Sequence, residues 1–461
     1  MIKAVRGTRD LLPPETALWN FVESAVRDVF RAYNFQEIRT PIFESTELFA
    51  RGVGEETDIV AKEMYTWEDR GGSRPKFSEM LRAIKIATLD KESATDEERA
   101  YVARIVSANK ESRAESLTLR PENTAGVVRA YIEHNLESRG LNKLYYIGPQ
   151  FRRERPQKGR YRQFYQIGAE VIGPAWAGSE RPLRDAEVLE MLDTLLRRLG
   201  ISDFTLYINS IGDSKDRAAY NEALRRALEP VVQNMCTDCQ RRAVTNPLRV
   251  FDCKVPQDQP IIQTLPLISD YLGAESKDHF ENVQALLKKA EVPFEVNPRL
   301  VRGLDYYTRT AFEFTHGALG AQNAILGGGR YDGLAELLGS REPAPGIGFA
   351  IGEDRLVMAL EGRASEAIHR VDAYIAPVGE GMNRNALVLA RDLRREGLII
   401  ELGDRSLRLK KSFEAATKAG AKYILIVGEN EVKADAFALK NLATGEQVSV
   451  PRAELAQKIH G

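Results

Sequence analysis

The chain has 461 residues, long enough for two or three domains of roughly 100–200 residues each. Its 65 basic and 66 acidic side chains leave a net charge of −1, which excludes a globally basic nucleic-acid coat but allows a local basic patch. At 43% hydrophobic, with no apolar run long enough for a bilayer span and no secretion-signal pattern in MIKAVRGTRDLLPPE, it reads as an ordinary soluble protein. Three cysteines are too few for a disulfide framework and point to the reducing cytosol.

Pro14 to Tyr33 reads as a helix, with Leu18, Phe21, Ala25, Val29 and Phe30 at helical spacing and the proline in a permitted first-turn position. QEIRTPIF (36–43) follows as a strand, which Pro41 confines to an edge or an interface because it lacks an N–H. Residues 73–115 carry nine basic and eight acidic side chains around helically spaced apolar ones, the pattern of a solvated helical excursion without catalytic groups. Strand, basic loop and strand succeed one another from Leu144. Helices dominate 181–291, and glycine-punctuated strand-like sequence returns at 299–331. GIGFAIGEDRLVMAL (346–360) reads as a strand turning into a helix. The texture changes after 362–369. VDAYIAPV, LIIEL and AKYILIVG are short apolar runs separated by amphipathic helices at 383–396 and 407–419, as buried parallel strands of a small α/β domain over 371–461 would be.

Chemistry concentrates in a few segments. FRRERPQKGRYRQ (151–163) holds six basic side chains and one acid, and arginine forks suit phosphate oxygens; a solvated hairpin tip would have the same composition. In the strand that follows, Tyr165, Ile167, Ala169 and Val171 form one apolar face. Phe164, Gln166, Gly168 and Glu170 form the other, which suits a ligand floor or a watered surface. LVRGLDYYTRTAFEF (300–314) and ILGGGRYDGL (325–334) add arginines, tyrosines and close-approach glycines to strand-like sequence. Neither a P-loop nor a GxGxxG cradle is present, and no histidine completes a nucleophile–base motif. Cys236, Cys239 and Cys253 are three candidate zinc ligands without an evident fourth, so no metal site is expected.

Together these segments resemble the class II aminoacyl-tRNA synthetases, specifically the histidyl-tRNA synthetase family. RGTRD (6–10) is similar to the family's opening. FQEIRTPIFE (35–44) is similar to motif 1, whose proline, here Pro41, lies at a dimer interface. FRRE (151–154) with RYRQFYQ (160–166) resembles motif 2, and GIGFAIGEDRLVMAL resembles motif 3. LTLRPENTAG (117–126) and RGLDYYT (302–308) look like the histidine-specific elements. Two departures stand out: residues 73–115 separate DRGG (69–72) from SLTLRPE, which the family runs together, and Asn123 replaces a frequent glycine.

The resemblance implies an α+β catalytic core over 1–370, built on an antiparallel sheet, with the 73–115 insert and a helix-rich insertion at about 181–291. It implies a small α/β anticodon-binding domain over 371–461, a homodimer, and a cytoplasmic setting. The implied reaction activates L-histidine with ATP and transfers it to tRNA(His), with Mg2+ carried mainly on the phosphates. Arg152, Arg302 and Arg355 would be the catalytic charges, the first two on the α-phosphate and the third on the γ-phosphate. Glu154 would meet the adenine edge and Phe164 its face. Glu122, Thr124 and Gln166 would face the histidine ammonium, with Asn123 beside them; Glu170, Tyr306 and Tyr307 would surround the imidazole, with Tyr331 close by. Gln157 and Arg160 would read the tRNA end, and DRSLRLKK (404–411) is the C-terminal candidate for phosphate contact. The regulatory subunit of ATP phosphoribosyltransferase shares this core; the retained arginines and the 371–461 module argue against that alternative.

Overall fold

The structure, a computed structural model, describes residues 2–55, 57–69, 76–88, 94–111, 115–157, 159–317, 323–360 and 371–460. Most of DRGG, Lys158 of the basic loop and the break at 362–370 lie outside the described residues. The chain forms two compact units, Met1–Ala364 and Ser365–Gly461.

The strands of the first unit are β1 (Gln36–Glu37), β2 (Phe43–Ser45), β3 (Tyr65–Asp69), β4 (Glu115–Leu119), β5 (Asn142–Phe151) and β6 (Gln163–Ile172). They continue with β7 (Phe204–Ser210), β8 (Glu295–Val296), β9 (Thr308–His316), β10 (Ala324–Arg330) and β11 (Gly346–Gly352). The large sheet runs β1-β5-β6-β11-β10-β9-β7-β8. Its six long strands are antiparallel, and only the two-residue strands at its edges pair parallel. A smaller sheet, β2-β4-β3, lies apart from it.

The expected single strand at 36–43 is therefore divided. Residues 36–37 join the large sheet, residues 43–45 join the small one, and Pro41 sits in the crossing, where no ladder needs its missing N–H. Helix Glu15–Ala32 covers one face of the large sheet through Leu18, Trp19, Val22, Ala25, Val26, Val29 and Phe30. Trp19 meets Tyr165, while Phe30 meets Tyr145 and Phe349, with ring centroids 5.2–6.0 Å apart. Each such burial contributes about 1.5–3 kcal/mol. Phe21, read as part of this stripe, points outward, and Val22 and Val26 complete the packing instead.

The stretch 181–291 is not wholly an insertion, because β7 is a member of the large sheet. Helices Pro182–Arg198 and Ala274–Lys289 pack on each other, and in sequence between them, after β7, come helix Ser214–Leu228 and then short helices and 3-10 turns from Val232 to Asp270. Residues 302–307, read as strand, are a loop entering β9. In the 73–115 stretch, helices Phe77–Thr88 and Asp96–Glu111 pack against each other.

The second unit contains β12 (Ala373–Pro377), β13 (Ile400–Leu402), β14 (Tyr423–Val427), β15 (Ala436–Asn441) and β16 (Gln447–Pro451), ordered β13-β12-β14-β15-β16. The three apolar runs are the parallel strands expected. Two antiparallel strands that the sequence reading missed, β15 and β16, extend the sheet. Their alternation of buried and exposed positions is weaker than a continuous apolar run, which is why they escaped notice.

Candidate active site

The second face of the large sheet carries a cavity of about 380 Å³, within the usual range for small-molecule sites. Its floor follows from strand alternation. Register pairs Gly348 with Glu170, Ala350 with Gly168 and Gly352 with Gln166 across β11 and β6. Gly327 and Gly329 of β10 stand opposite Ala350 and Gly348. Small residues at every second position leave the floor low, and larger groups from elsewhere lie flat on it. A Cβ on Gly327 would stand 2.6 Å from Cζ of Arg302, and one on Gly329 would stand 2.8 Å from the Tyr307 ring. The GGG run is thus a platform for Arg302 and Tyr307. Gly168 was expected to leave room for a ligand, but the Tyr146 side chain occupies that space.

One end of the cavity is cationic. Arg152, Arg302 and Arg355 all line it, with Glu154, Arg160 and Phe164. Each arginine is held by a partner. Arg152 donates to the Pro121 carbonyl at 2.9 Å and lies 5.3 Å over the Phe164 ring. Arg302 donates to Glu313 at 2.6 Å, and Arg355 donates to the Ala324 carbonyl at 3.0 Å. Arg355 sits in the first turn of helix Glu353–Ala359, as the strand-to-helix reading required. Burial, then the nearby Arg160, draws its pKa below the ordinary guanidinium value, so an anion here would relieve real repulsion.

The other end is acidic and aromatic. Glu122, Thr124, Gln166, Tyr306 and Tyr307 line it. The Glu122 carboxylate accepts from the backbone N–H groups of Thr124 and Ala125 at 2.8 and 2.9 Å, so it caps helix Thr124–Glu133. Glu170 lies fully buried behind the wall and accepts from the hydroxyls of Thr124 and Tyr331, each at 2.7 Å. Burial, aided by the Glu122 charge, pushes the Glu170 carboxyl up to about 8 against the pull of those two hydroxyls. Burial likewise raises Glu122. Among the described residues, no basic side chain lies within 4 Å of either acid, so a cation or a strong donor is the chemistry this end lacks.

Not every expected residue meets the cavity. Asn123 is buried beside it, its side-chain oxygen accepting from the Thr40 hydroxyl at 2.6 Å. Neither Glu170 nor Tyr331 lines it; Tyr331 lies behind Tyr306, with ring centroids 5.9 Å apart, and holds Glu170 through its hydroxyl. Gln157 is exposed at the hairpin tip, paired with Arg160 through backbone hydrogen bonds. Arg330, beside Tyr331, points away and is fully buried in a cluster with Asp185, Asp332 and the Ser179 carbonyl. Several lining residues were missed: Tyr146, Tyr161, Lys254, Glu313 and Asp354. Tyr146 and Glu313 were legible from alternation in LYYIG and TAFEF, whereas Lys254 comes from the irregular 232–270 region and carried no local signal. The cysteines also differ from expectation, since Asp258 supplies a fourth potential metal ligand beside Cys236, Cys239 and Cys253.

The family model described as histidyl-tRNA synthetase matches residues 86–356, more than half of the chain. The chain belongs to the histidyl-tRNA synthetase family. A model described as an anticodon binding domain matches 372–461 of this synthetase. It is 64% identical over 457 residues to the histidine–tRNA ligase of Koribacter versatilis, covering 99% of this chain and 95% of the relative. Identity to the histidine–tRNA ligase of Solibacter usitatus is 56% over 460 residues, covering 100% and 99% of the two chains. The crystal structure of apo histidyl-tRNA synthetase from S. aureus superposes with a TM-score of 0.75 at 36% identity over the full length of both chains. A Bacillus halodurans structure described as an ATP phosphoribosyltransferase regulatory subunit/histidyl-tRNA synthetase, covering 93% of this chain and 98% of its own, shares the fold at TM-score 0.61 and 20% identity. The regulatory alternative is therefore the less supported one. This synthetase is an enzyme, an aminoacyl-tRNA ligase, with the class II core and the C-terminal anticodon-binding domain that the sequence reading expected.

Proposed function

We propose that the cavity activates L-histidine with ATP and that the resulting histidyl group passes to the 3′ end of tRNA(His). The observation that carries this reading is that one cavity brings Arg152, Arg302 and Arg355 together with Glu122, Thr124, Gln166, Tyr306 and Tyr307. ATP phosphates suit the first group and the ammonium and imidazole of histidine suit the second.

In the first step the histidine carboxylate attacks the α-phosphate in line, releasing pyrophosphate. The nucleophile is already ionised, so the protein contributes alignment and charge rather than a general base. Arg152 and Arg302 take the α-phosphate from two sides, and Arg355 takes the γ-phosphate. Phe164, backed by the Arg152 guanidinium, stacks on adenine, and Glu154 accepts from its edge. Glu122, Thr124 and Gln166 hold the ammonium end. Tyr306, Tyr307 and the Glu170–Tyr331 pair surround the ring, and Asn123 steadies the helix start that presents Thr124. An acceptor that would stay unpaired beside an apolar side chain rejects it by roughly 10⁴–10⁵.

Magnesium would arrive on the nucleotide, held by phosphate and water oxygens. Of the cavity acids, Glu154 is near Arg160, Glu313 is on Arg302, Asp354 is on Arg9 and Glu122 is taken up by two backbone N–H groups, so they build no cage of their own. The tRNA end would rest on Gln157 and Arg160 at the hairpin tip, with the anticodon read by the second unit and DRSLRLKK (404–411) on its phosphates. The working form in this reading is a cytosolic homodimer that pairs through the region of Pro41.

Histidine-dependent ATP–pyrophosphate exchange tests the reading directly. Exchange with another amino acid and none with histidine would refute it. Removal of 371–461 should suppress tRNA charging while leaving exchange largely intact; equal loss of both in a folded truncation would contradict the division of labour.

A further inference from the structure

We propose that Cys236, Cys239, Cys253 and Asp258 form a structural zinc site that staples the region between β7 and helix Ala274–Lys289. The four residues come from separate short elements. Cys236 precedes helix Thr237–Thr245, Cys239 lies in its first turn, Cys253 follows the 3-10 turn Pro247–Asp252, and Asp258 ends the turn Pro256–Asp258. Their ligand atoms all lie within 4.8 Å of one another, and the three cysteines are free thiols.

Two spacings within the cluster are close to those of a tetrahedral ion. Two thiolates bound to zinc at about 2.3 Å stand about 3.8 Å apart at the tetrahedral angle, and a thiolate and a carboxylate oxygen stand about 3.5 Å apart. The sulfurs of Cys236 and Cys253 are 3.8 Å apart, and the Cys253 sulfur is 3.2 Å from Oδ2 of Asp258. A backbone N–H, that of Val255, is aimed at the Cys253 sulfur at 3.4 Å, as suits a sulfur carrying negative charge.

Burial points the same way. Cys239 and Asp258 are fully buried and Cys253 nearly so. The Asp258 carboxylate accepts from the Cys236 backbone N–H at 3.1 and 3.2 Å, yet no basic side chain lies within 4 Å of it among the described residues. A buried carboxylate facing three sulfurs lacks a cation. Three soft sulfurs with one oxygen in a closed tetrahedron select zinc over magnesium or calcium, and four protein ligands leave no open position for catalysis. A structural ion also suits the local architecture, because the four ligands come from separate short turns that the ion would tie together. Lys254, next to Cys253, lines the active-site cavity, so the ion would hold that lysine in place at a distance from the chemistry.

The test is metal content of the full-length protein, purified reduced and equilibrated with equimolar zinc, then desalted. Elemental analysis should find one zinc per chain in the parent and a loss of that zinc in Cys236→Ser and in Asp258→Asn. Cobalt loaded in place of zinc should give the intense sulfur-to-cobalt absorption and tetrahedral visible bands, which need no variant to fold. Removing the metal with a chelator should raise KM for ATP more than KM for histidine, through Lys254. Protein that retains no zinc, zinc retained equally by both variants, cobalt spectra without sulfur bands, or a Cys236–Cys253 disulfide trapped by alkylating the thiols at cell lysis without reductant would each overturn the proposal.

Discussion

The two ends of the cavity are prepared for their ligands in opposite ways. At the arginine-rich end Arg152, Arg302 and Arg355 each have a partner, the Pro121 carbonyl, Glu313 and the Ala324 carbonyl respectively, and the guanidinium groups are aimed in the ligand-free protein. At the other end Glu122 and Glu170 are buried with no basic side chain within 4 Å among the described residues, Glu122 being reached only by the more distant charge of Arg152, and burial raises the Glu170 carboxyl to about 8. The first end is preorganised, which favours rate, because electrostatic groups that need not move stabilise a transition state most effectively. The second is under-satisfied until its ligand binds, which favours selectivity, because only a donor-rich ligand relieves it.

The strongest way to break this contrast is Arg302→Ala. Adenylation should slow by roughly 10²–10³ while histidine binding changes little, since this charge matters most as negative charge redistributes on phosphorus. Arg302→Lys should recover part of the rate, a point charge being unable to reproduce the fork. Steady-state exchange with ATP and histidine each varied decides it; a change confined to histidine affinity would remove this arginine from the α-phosphate.

Glu170→Ala should act on the other axis. A hydrogen bond to a charged group contributes about 1.5–3 kcal/mol, so KM for histidine should rise roughly 10–100-fold and ring analogues should be discriminated less. A pure loss of turnover with unchanged KM would place Glu170 elsewhere in the mechanism.

The pH dependence sharpens the same point. The folded carboxyl titrates near 8, against an ordinary value of 4.5. Between these values the unfolded chain has lost the proton and the folded one has kept it, so this group's contribution to stability falls as pH rises through that window and is level above it. Glu170→Gln should therefore raise the melting temperature of ligand-free protein, with a gap that widens from about pH 5 to about pH 8. A gap independent of pH would show that the carboxyl is not held protonated.

The smallest effect is expected from replacing 73–115 with a short linker. The two helices of the segment hold to each other, as in Tyr101 to the Glu79 carbonyl, and among its described residues only Glu115 at its end pairs outside it, with Asp69 of β3. Exchange should stay within several-fold of the parent, and selective loss of ATP binding in a folded variant would make the insert part of the site.

Strand alternation alone separated Phe164, Gln166 and Glu170 from Tyr165, Ile167 and Val171, because side chains of a strand must point to opposite faces. The helix at 15–32, the motif 2 hairpin, the strand-to-helix turn before Arg355 and the three parallel strands of the second unit were legible for similar local reasons. What local pattern could not supply was which distant segments fill the same space. Gly168 proved to accommodate Tyr146, and the GGG run to support Arg302 and Tyr307, contacts across strands that no spacing within one segment encodes. QEIRTPIF divided between two sheets because long-range pairing with β5 and β4 outweighed its continuous strand-like appearance. Asp258 likewise joined the cysteines only through the folding of irregular turns. The amino-acid order by itself determined faces, turns and the chemistry each segment can offer, since those depend on nearest neighbours; the pairing of an anion-ready end with a cation-seeking end in one cavity was decided by tertiary contacts between residues hundreds of positions apart.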